Sequence, residues 1–231
     1  MAVNIEKYKE LINKLNGKAT LIAVSKTKPI GDIQTLYDLG QRDFGENYVQ
    51  ELVDKEAILP KDIRWHFIGH LQRNKVRFIA SFVHLIHGVD SHKLLDEINN
   101  QAARTNREIE CLLQVHIANE ETKFGLNEEE LSLLLLAIPK YQQLNRLKNI
   151  RVSGLMGMAS FTANMNIVRT EFKYLASLFN KYDQLKNHPA TGGKKFKILS
   201  MGMSSDYRIA LEEGSNMVRI GSLLFGARLT S

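Results

Sequence analysis

Eight short, apolar, β-rich runs recur along the chain, and the stretches between them read as amphipathic helices. The runs are "TLIAVSK" (20–26), "RDFGENY" (42–48), "IRWHFIG" (63–69), "HLIHGVD" (84–90), "IECLLQVHIA" (109–118), "IRVSGLMGM" (150–158), "FKILSMGM" (196–203) and "MVRIGSLLFG" (217–226). Among the intervening segments, "IGDIQTLYDLG" closes on Gly40 and "NEEELSLLLLAIPKY" opens with acidic residues that suit a helix N-terminus. "SSDYRIALEEG" begins on capping residues and stops at Gly214. Leu11 and Leu15, one helical turn apart, place a further amphipathic helix ahead of the first run.

Strand and helix in strict alternation imply parallel strands joined by helical crossovers, so the choice lies between a closed barrel and an open doubly wound sheet. Eight units in 231 residues match the barrel. The turn after the first run reads "SKTKPIGD" and lacks the G-x-G-x-x-G of the open dinucleotide-binding fold. The sequence therefore predicts one α/β domain over 1–231, a (β/α)8 TIM barrel with an extra N-terminal helix. "KNHPATGGKK", before the seventh run, reads as an exposed connection inside that domain.

Composition removes several function classes. Lysine plus arginine number 31 against 25 aspartate plus glutamate, a net charge of +6, yet the basic residues are scattered and no run exceeds Lys194–Lys195. A nucleic-acid partner is not expected from that pattern. The single cysteine, Cys111, rules out an internal disulfide and a cysteine-based zinc cluster, and reads as a small buried hydrophobe in a reducing compartment. No apolar segment approaches the ~18 residues of a membrane span, and the charged opening "MAVNIEKYKELINKLNG" is no signal peptide, so the expected location is cytoplasmic.

Chemistry in such a barrel sits at the C-terminal strand ends, with a phosphate commonly bound by the loops after strands seven and eight. In the first strand Ile22, Val24 and Lys26 share a face by alternation, which brings Lys26 to the mouth and leaves Lys28 in the loop. Two readings stand for Lys26: an ammonium snorkelling into solvent, or an amine with a depressed pKa that attacks carbonyls. After strand seven, "SMGMSSD" supplies small residues, the hydroxyls of Ser204 and Ser205 and exposed backbone N–H groups. After strand eight, Gly221 and Ser222 of "RIGS" let backbone approach the same anion. The alternative for both segments is ordinary tight turns. A reactive lysine opposite a phosphate cradle suits a phosphorylated aldehyde, of which pyridoxal 5'-phosphate (PLP) is the common biological case. Arg219 then projects toward the ring or, alternatively, pairs with a barrel carboxylate.

The motifs "AVSKTKP", "FGENYVQE", "WHFIGHLQRNK", "ETKFGL", "GLMGMAS" and "SMGMSSDYRIALEEGSNMVRIGSLLFGAR" cover nearly the whole chain. In these the sequence resembles the pyridoxal phosphate homeostasis family, also called the proline-synthase co-transcribed family. The resemblance implies a barrel like the N-terminal domain of alanine racemase, a fold type III PLP protein. It puts the Schiff-base lysine at Lys26, phosphate contacts at Ser204, Gly221 and Ser222, and the arginine facing the pyridine nitrogen at Arg219. Asn47 falls beside the ring and Met203 next to the phosphate turn. Two departures are Tyr48, where arginine is usual, and Ser160, where proline is common; both are read as peripheral to the cofactor.

The polar stretch His66, His70, Gln72, Asn74 and Lys75 is read as a group at the barrel mouth with a part in handing over the cofactor, against a plain helix cap. No metal site is expected, since nothing joins these histidines at ligand spacing. His84, His87, His92, His116 and His188 are read as structural, and "LSLLLL" as a core-facing helix stripe. An arginine at the pyridine nitrogen disfavours its protonation and weakens the electron sink. Racemisation also needs acid and base on opposite faces of the substrate, one of them supplied in alanine racemase by a second domain. The chain ends at Ser231, just after the eighth strand, so that domain is expected to be absent. The function expected is binding, buffering and delivery of PLP to PLP-dependent apo-enzymes by a monomer without turnover. The alternative is a PLP-dependent amino-acid racemase or lyase.

Overall fold

The structure is a computed structural model that describes residues 3–120, 124–143, 147–183 and 196–226. The connection "KNHPATGGKK" and His188 lie outside the described residues. Eight parallel strands close in sequence order: β1 (Thr20–Val24), β2 (Asp43–Glu46), β3 (Arg64–Phe67), β4 (Leu85–Val89), β5 (Ile109–Val115), β6 (Ile150–Gly157), β7 (Ile198–Ser200) and β8 (Met217–Ile220). The seam is the β1–β8 pair, in register from Thr20 opposite Met217 to Ala23 opposite Ile220.

Helices α1 (Ile5–Leu15), α2 (Ile30–Asp38), α3 (Val49–Ile58), α4 (His92–Arg104), α5 (Glu128–Gln143), α6 (Met165–Asp183), α7 (Tyr207–Glu212) and α8 (Ser222–Phe225) surround the sheet. Between β3 and β4 the crossover is a 3₁₀ segment, Arg73–Phe78. α1 is the extra N-terminal helix; the Asn4 side chain caps it by accepting from Lys7 N–H, and it buries Tyr8, Leu11 and Leu15.

Alternation along the strands sorts side chains between two cores. Leu21, Ala23, Phe44, Trp65, Phe67, Ile86, Leu155, Leu199, Val218 and Ile220 join one continuous apolar cluster with the helices. Ile22, Leu85, Leu112, Met156 and Met217 form a separate small plug inside the barrel.

Two expectations change. The last run is a strand only as far as Ile220; Ser222–Phe225 is helical and buries Leu224 and Phe225, because the chain leaves the sheet at Gly221. α7 starts at Tyr207 with Asp206 at its N-cap position, as the capping residues of "SSDYRIALEEG" imply, and Gly202–Asp206 forms the turn beside the cavity. That turn needs a glycine: Gly202 has φ +95°, and a Cβ there would lie 2.5 Å from Ala210 Cβ. Of "LSLLLL", Leu131, Leu134 and Leu135 are buried, but Leu133 and Leu136 face solvent.

Candidate functional site

A cavity of about 570 Å³ opens at the C-terminal ends of β1, β2, β7 and β8. Lys26, Asn47, Met203, Ser204, Arg219, Gly221 and Ser222 all line it, together with Lys28, Val24, Ser205 and the apolar rim of Ile68, Met158 and Phe161. The N–H of Gly221 donates to Ser204 Oγ at 3.3 Å, which ties the two turns together.

The lysine turn is held from outside the sheet. Ser25 is fully buried; its hydroxyl donates to Glu46 Oε1 at 2.6 Å, and its carbonyl accepts from Lys55 Nζ at 2.7 Å. Lys55 Nζ also donates to Glu46 Oε1 (2.8 Å) and Glu51 Oε1 (2.7 Å), so its three protons all have acceptors. Glu51 Oε1 accepts the N–H of Thr27 at 2.6 Å. Thr27 sits at φ +62°, a left-handed conformation unusual for a β-branched residue. Lys26, half-buried, is therefore carried between two residues that this ionic clasp fixes. Burial pushes the Glu46 carboxyl up, against the pull of Lys55. Lys28 differs: its Nζ donates to the Phe225 carbonyl at 2.8 Å.

Arg219 lies on the inward face of β8 and is buried. Its Nη1 donates to the Ser200 carbonyl (2.9 Å) and hydroxyl (2.7 Å), and Nη2 donates to the Gly157 carbonyl (3.0 Å). No carboxylate accepts from it among the described residues, so the salt-bridge alternative is not seen. Burial lowers its pKa to about 10, opposed by the Asp206 carboxylate, and it stays a cation at neutral pH. Asp206, whose Oδ1 accepts the N–H of Met203 at 2.6 Å, is itself pushed up by burial.

Beneath Arg219, polar groups continue through the barrel. Ser200 Oγ is 3.3 Å from His87 Nδ1, and His87 Nε2 is 3.0 Å from His66 Nδ1. His66 Nε2 is 3.1 Å from Asp43 Oδ1, which also accepts from Arg64 Nε at 2.7 Å. Burial would raise the Asp43 carboxyl, but the hydrogen bonds from His66 and Arg64 hold it at about 2. Burial lowers both histidines below their ordinary 6.5.

His66 is thus a barrel-interior residue of β3 and no part of the mouth, and His87 is its partner, not an isolated structural histidine. The signal was parity, since both share the inward face with Leu85 and Ile22. His70, Gln72 and Asn74 line a different cavity of about 610 Å³ with Asp90, Ser91 and Lys93. Lys75 Nζ lies 5.6 Å over the Phe78 ring. Ser160 is buried, with its N–H (2.7 Å) and hydroxyl (2.6 Å) both donating to Glu171, while Tyr48 is exposed. Among the described residues no group of three or more histidine, cysteine, aspartate or glutamate side chains is arranged to hold a metal ion.

The site fits PLP on its own chemistry. Two hydroxyl-bearing turns joined through Gly221 offer donors to a phosphate, and Lys26, Lys28 and the hydrogen-bonded cation Arg219 line the same cavity. Asn47 Oδ1 is buried with no hydrogen-bond partner among the described residues, an unmet polar atom on the cavity wall.

Residues 1–229 match the family model for the alanine racemase N-terminal domain. The pyridoxal phosphate homeostasis protein of Aquifex aeolicus is 38% identical over 225 residues, covering 97% of this chain and 93% of that protein. PipY of Synechococcus elongatus, solved with PLP bound, superposes with a TM-score of 0.81 at 33% identity, covering 96% of this chain and 99% of PipY. Alanine racemase of Streptomyces lavendulae matches at TM-score 0.72 and 16% identity, covering 97% of this chain and 56% of that enzyme, a likeness of fold alone.

Proposed function

The chain belongs to the alanine racemase N-terminal domain family and to its pyridoxal phosphate homeostasis proteins, and from that premise we propose that it binds, buffers and delivers PLP. The observation that carries the reading is the convergence of Lys26, Asn47, Ser204, Arg219 and Ser222 on one cavity at the strand ends. Lys26 holds the cofactor as a Schiff base, Ser204, Gly221 and Ser222 take its phosphate, and Asn47 flanks the ring. Met203 packs beside the phosphate turn, and Arg219 faces the pyridine nitrogen. When bound, PLP supplies an electrophilic aldehyde and an electron-accepting ring.

The residues around it favour retention over turnover. Arg219 presents N–H donors and a positive charge, which keep a proton off the pyridine nitrogen. Among the described residues lining the cavity there is no histidine, tyrosine, cysteine, aspartate or glutamate. A second acid or base would have to come from Lys28, which also lines the cavity and whose Nζ donates to the Phe225 carbonyl at 2.8 Å. The cofactor stays reachable from solvent, as transfer to an apo-enzyme requires.

No helix among the described residues is long and apolar enough to cross a membrane. We place the protein in the cytoplasm, as a monomer.

Borohydride reduction of the PLP-loaded protein followed by peptide mapping tests the site. The pyridoxyl group is expected on Lys26, and its recovery on Lys28 would refute the assignment. Incubation with a panel of amino acids tests the role. Fast, enantiomer-converting exchange of the α-proton would replace the carrier with a racemase.

A further inference from the structure

The hydrogen bonds between Arg219 and Asp43 admit one arrangement of protons. Asp43, an ionised carboxylate clamped by Arg64, only accepts, and burial keeps both imidazoles neutral. His66 therefore carries its proton on Nε2, facing Asp43 Oδ1 at 3.1 Å, and its Nδ1 is bare. That Nδ1 accepts, so the His87 proton is also on Nε2, 3.0 Å away. His87 Nδ1 is bare in turn, and Ser200 Oγ turns its proton toward it at 3.3 Å while accepting from Arg219 at 2.7 Å. The carboxylate end sets the order and the Arg219 end is compatible with it, so both imidazoles are neutral Nε2–H tautomers.

We propose that Ser200, His87 and His66 are positioning residues: they transmit the negative charge of Asp43 through the barrel interior to the guanidinium of Arg219, by hydrogen bonds that all run one way. Bonds aligned in a water-poor interior polarise one another and resist reorientation. The relay keeps the Ser200 lone pair toward Arg219 and pins the guanidinium at the strand ends. Three of the five N–H donors of Arg219 are used by Ser200 and Gly157, leaving two among the described residues. One proton added to either imidazole would sit on Nδ1 and reverse the bond that nitrogen makes, and on His87 it would bring a second cation toward Arg219. The charged groups facing it are Asp43, Arg64 and Arg219, and His84 lies beside it with its ring 5.3 Å from that of His66. The effect on the cofactor rests on the reading that Arg219 faces the pyridine nitrogen.

Long-range proton–nitrogen correlation NMR on ¹⁵N-labelled protein without cofactor reads the relay directly. At neutral pH, Nε2–H tautomers are expected for His66 and His87; an Nδ1–H or doubly protonated ring at either position overturns the proposal. Ser200→Ala is expected to weaken PLP binding about tenfold, the scale of a lost hydrogen bond to a charge, and to shift the visible band of bound PLP. Ser200→Thr keeps the hydroxyl and is expected to restore both. His87→Phe, which fills the space without a nitrogen, is expected to act like Ser200→Ala. Unchanged affinity and spectrum in Ser200→Ala would overturn the proposal while leaving the PLP site standing. Failure of the unaltered protein to bind PLP would overturn the cofactor reading, and the tautomers would still decide the relay.

Discussion

The barrel interior and the layer between sheet and helices are built from the same strands, yet they are opposite materials. Outside, side chains from every strand and from the helices merge into one apolar cluster, broken by the Glu46–Lys55–Glu51 clasp. Inside, five apolar residues form a plug, and beside it Asp43, His66, His87, Ser200 and Arg219 run from one end of the barrel toward the other. Burial of apolar area dominates folding energy, whereas a polar chain is close to neutral for stability even when every partner is met. The outer layer therefore carries the fold, and the interior is free to carry the site.

Substitutions in the outer layer should cost the most and leave the cofactor alone. Trp65, 2% exposed and packed against Phe44 with ring centroids 6.0 Å apart, is the largest such side chain. Trp65→Ala is expected to lower unfolding stability by ~3–5 kcal/mol in urea titrations, with PLP affinity of the folded fraction unchanged. Lys55→Met is the outer-layer change that crosses the divide. It strands Glu46, which is fully buried, and frees the backbone on both sides of Lys26. A loss of about 3 kcal/mol is expected, accompanied by slower formation of the visible PLP band. An unaltered rate would separate the clasp from the lysine turn.

Acid should reach the interior before it reaches the outer core. His66 and His87 are held below 6.5, so between that value and their folded pKa the unfolded chain binds more protons than the folded one. Their contribution is complete above pH 6.5 and is lost as pH falls. Asp43, lowered from 3.8 to about 2, acts in the same direction further down: its contribution is complete above 3.8 and disappears toward 2. Each buried histidine then adds up to ~1.4 kcal/mol of slope per pH unit below 6.5. Urea midpoints measured against pH should show that slope, and His87→Phe should flatten it. A slope unchanged in the variant would mean that His87 titrates normally.

The strands are legible because both faces are buried, which makes them short continuous apolar runs, as in "TLIAVSK" and "IECLLQV". The face of Lys26 is legible from alternation, since Ile22 and Val24 fix its side. The turn residues Ser204 and Gly221 were marked by their small size. The relay was not legible as a relay: His66 and His87 are 21 residues apart, and Ser200 is 113 from His87, so only closure of the barrel brings them together. Grouping His66 with His70 by proximity in sequence obscured the fact that it shares parity with the interior. The clasp left a local trace in Glu51 and Lys55, four apart on α3, but Glu46 and Ser25 join it through tertiary packing. "SLLF" is apolar enough for a strand, so its sequence does not mark the end of β8, and its helix follows from the chain leaving the sheet at Gly221.

The smallest expected effect on stability is the sharpest probe of the comparison, because it sets two lysines two residues apart against each other. Lys28 Nζ is spent on the Phe225 carbonyl at 2.8 Å, a tie between the first turn and α8. Lys28→Met keeps the aliphatic stem and removes that bond, so a loss of about 1 kcal/mol is expected. The visible PLP band should remain, with affinity changed by the altered charge at the rim alone. Lys26→Ala should invert the pattern: stability within about 1 kcal/mol of the unaltered protein, and no band at any PLP concentration. The paired measurement is a urea titration and an absorption spectrum of each variant. If Lys28→Met abolishes the band while Lys26→Ala keeps it, the cofactor is held by Lys28, which lines the same cavity, and the assignment of the Schiff base to Lys26 fails.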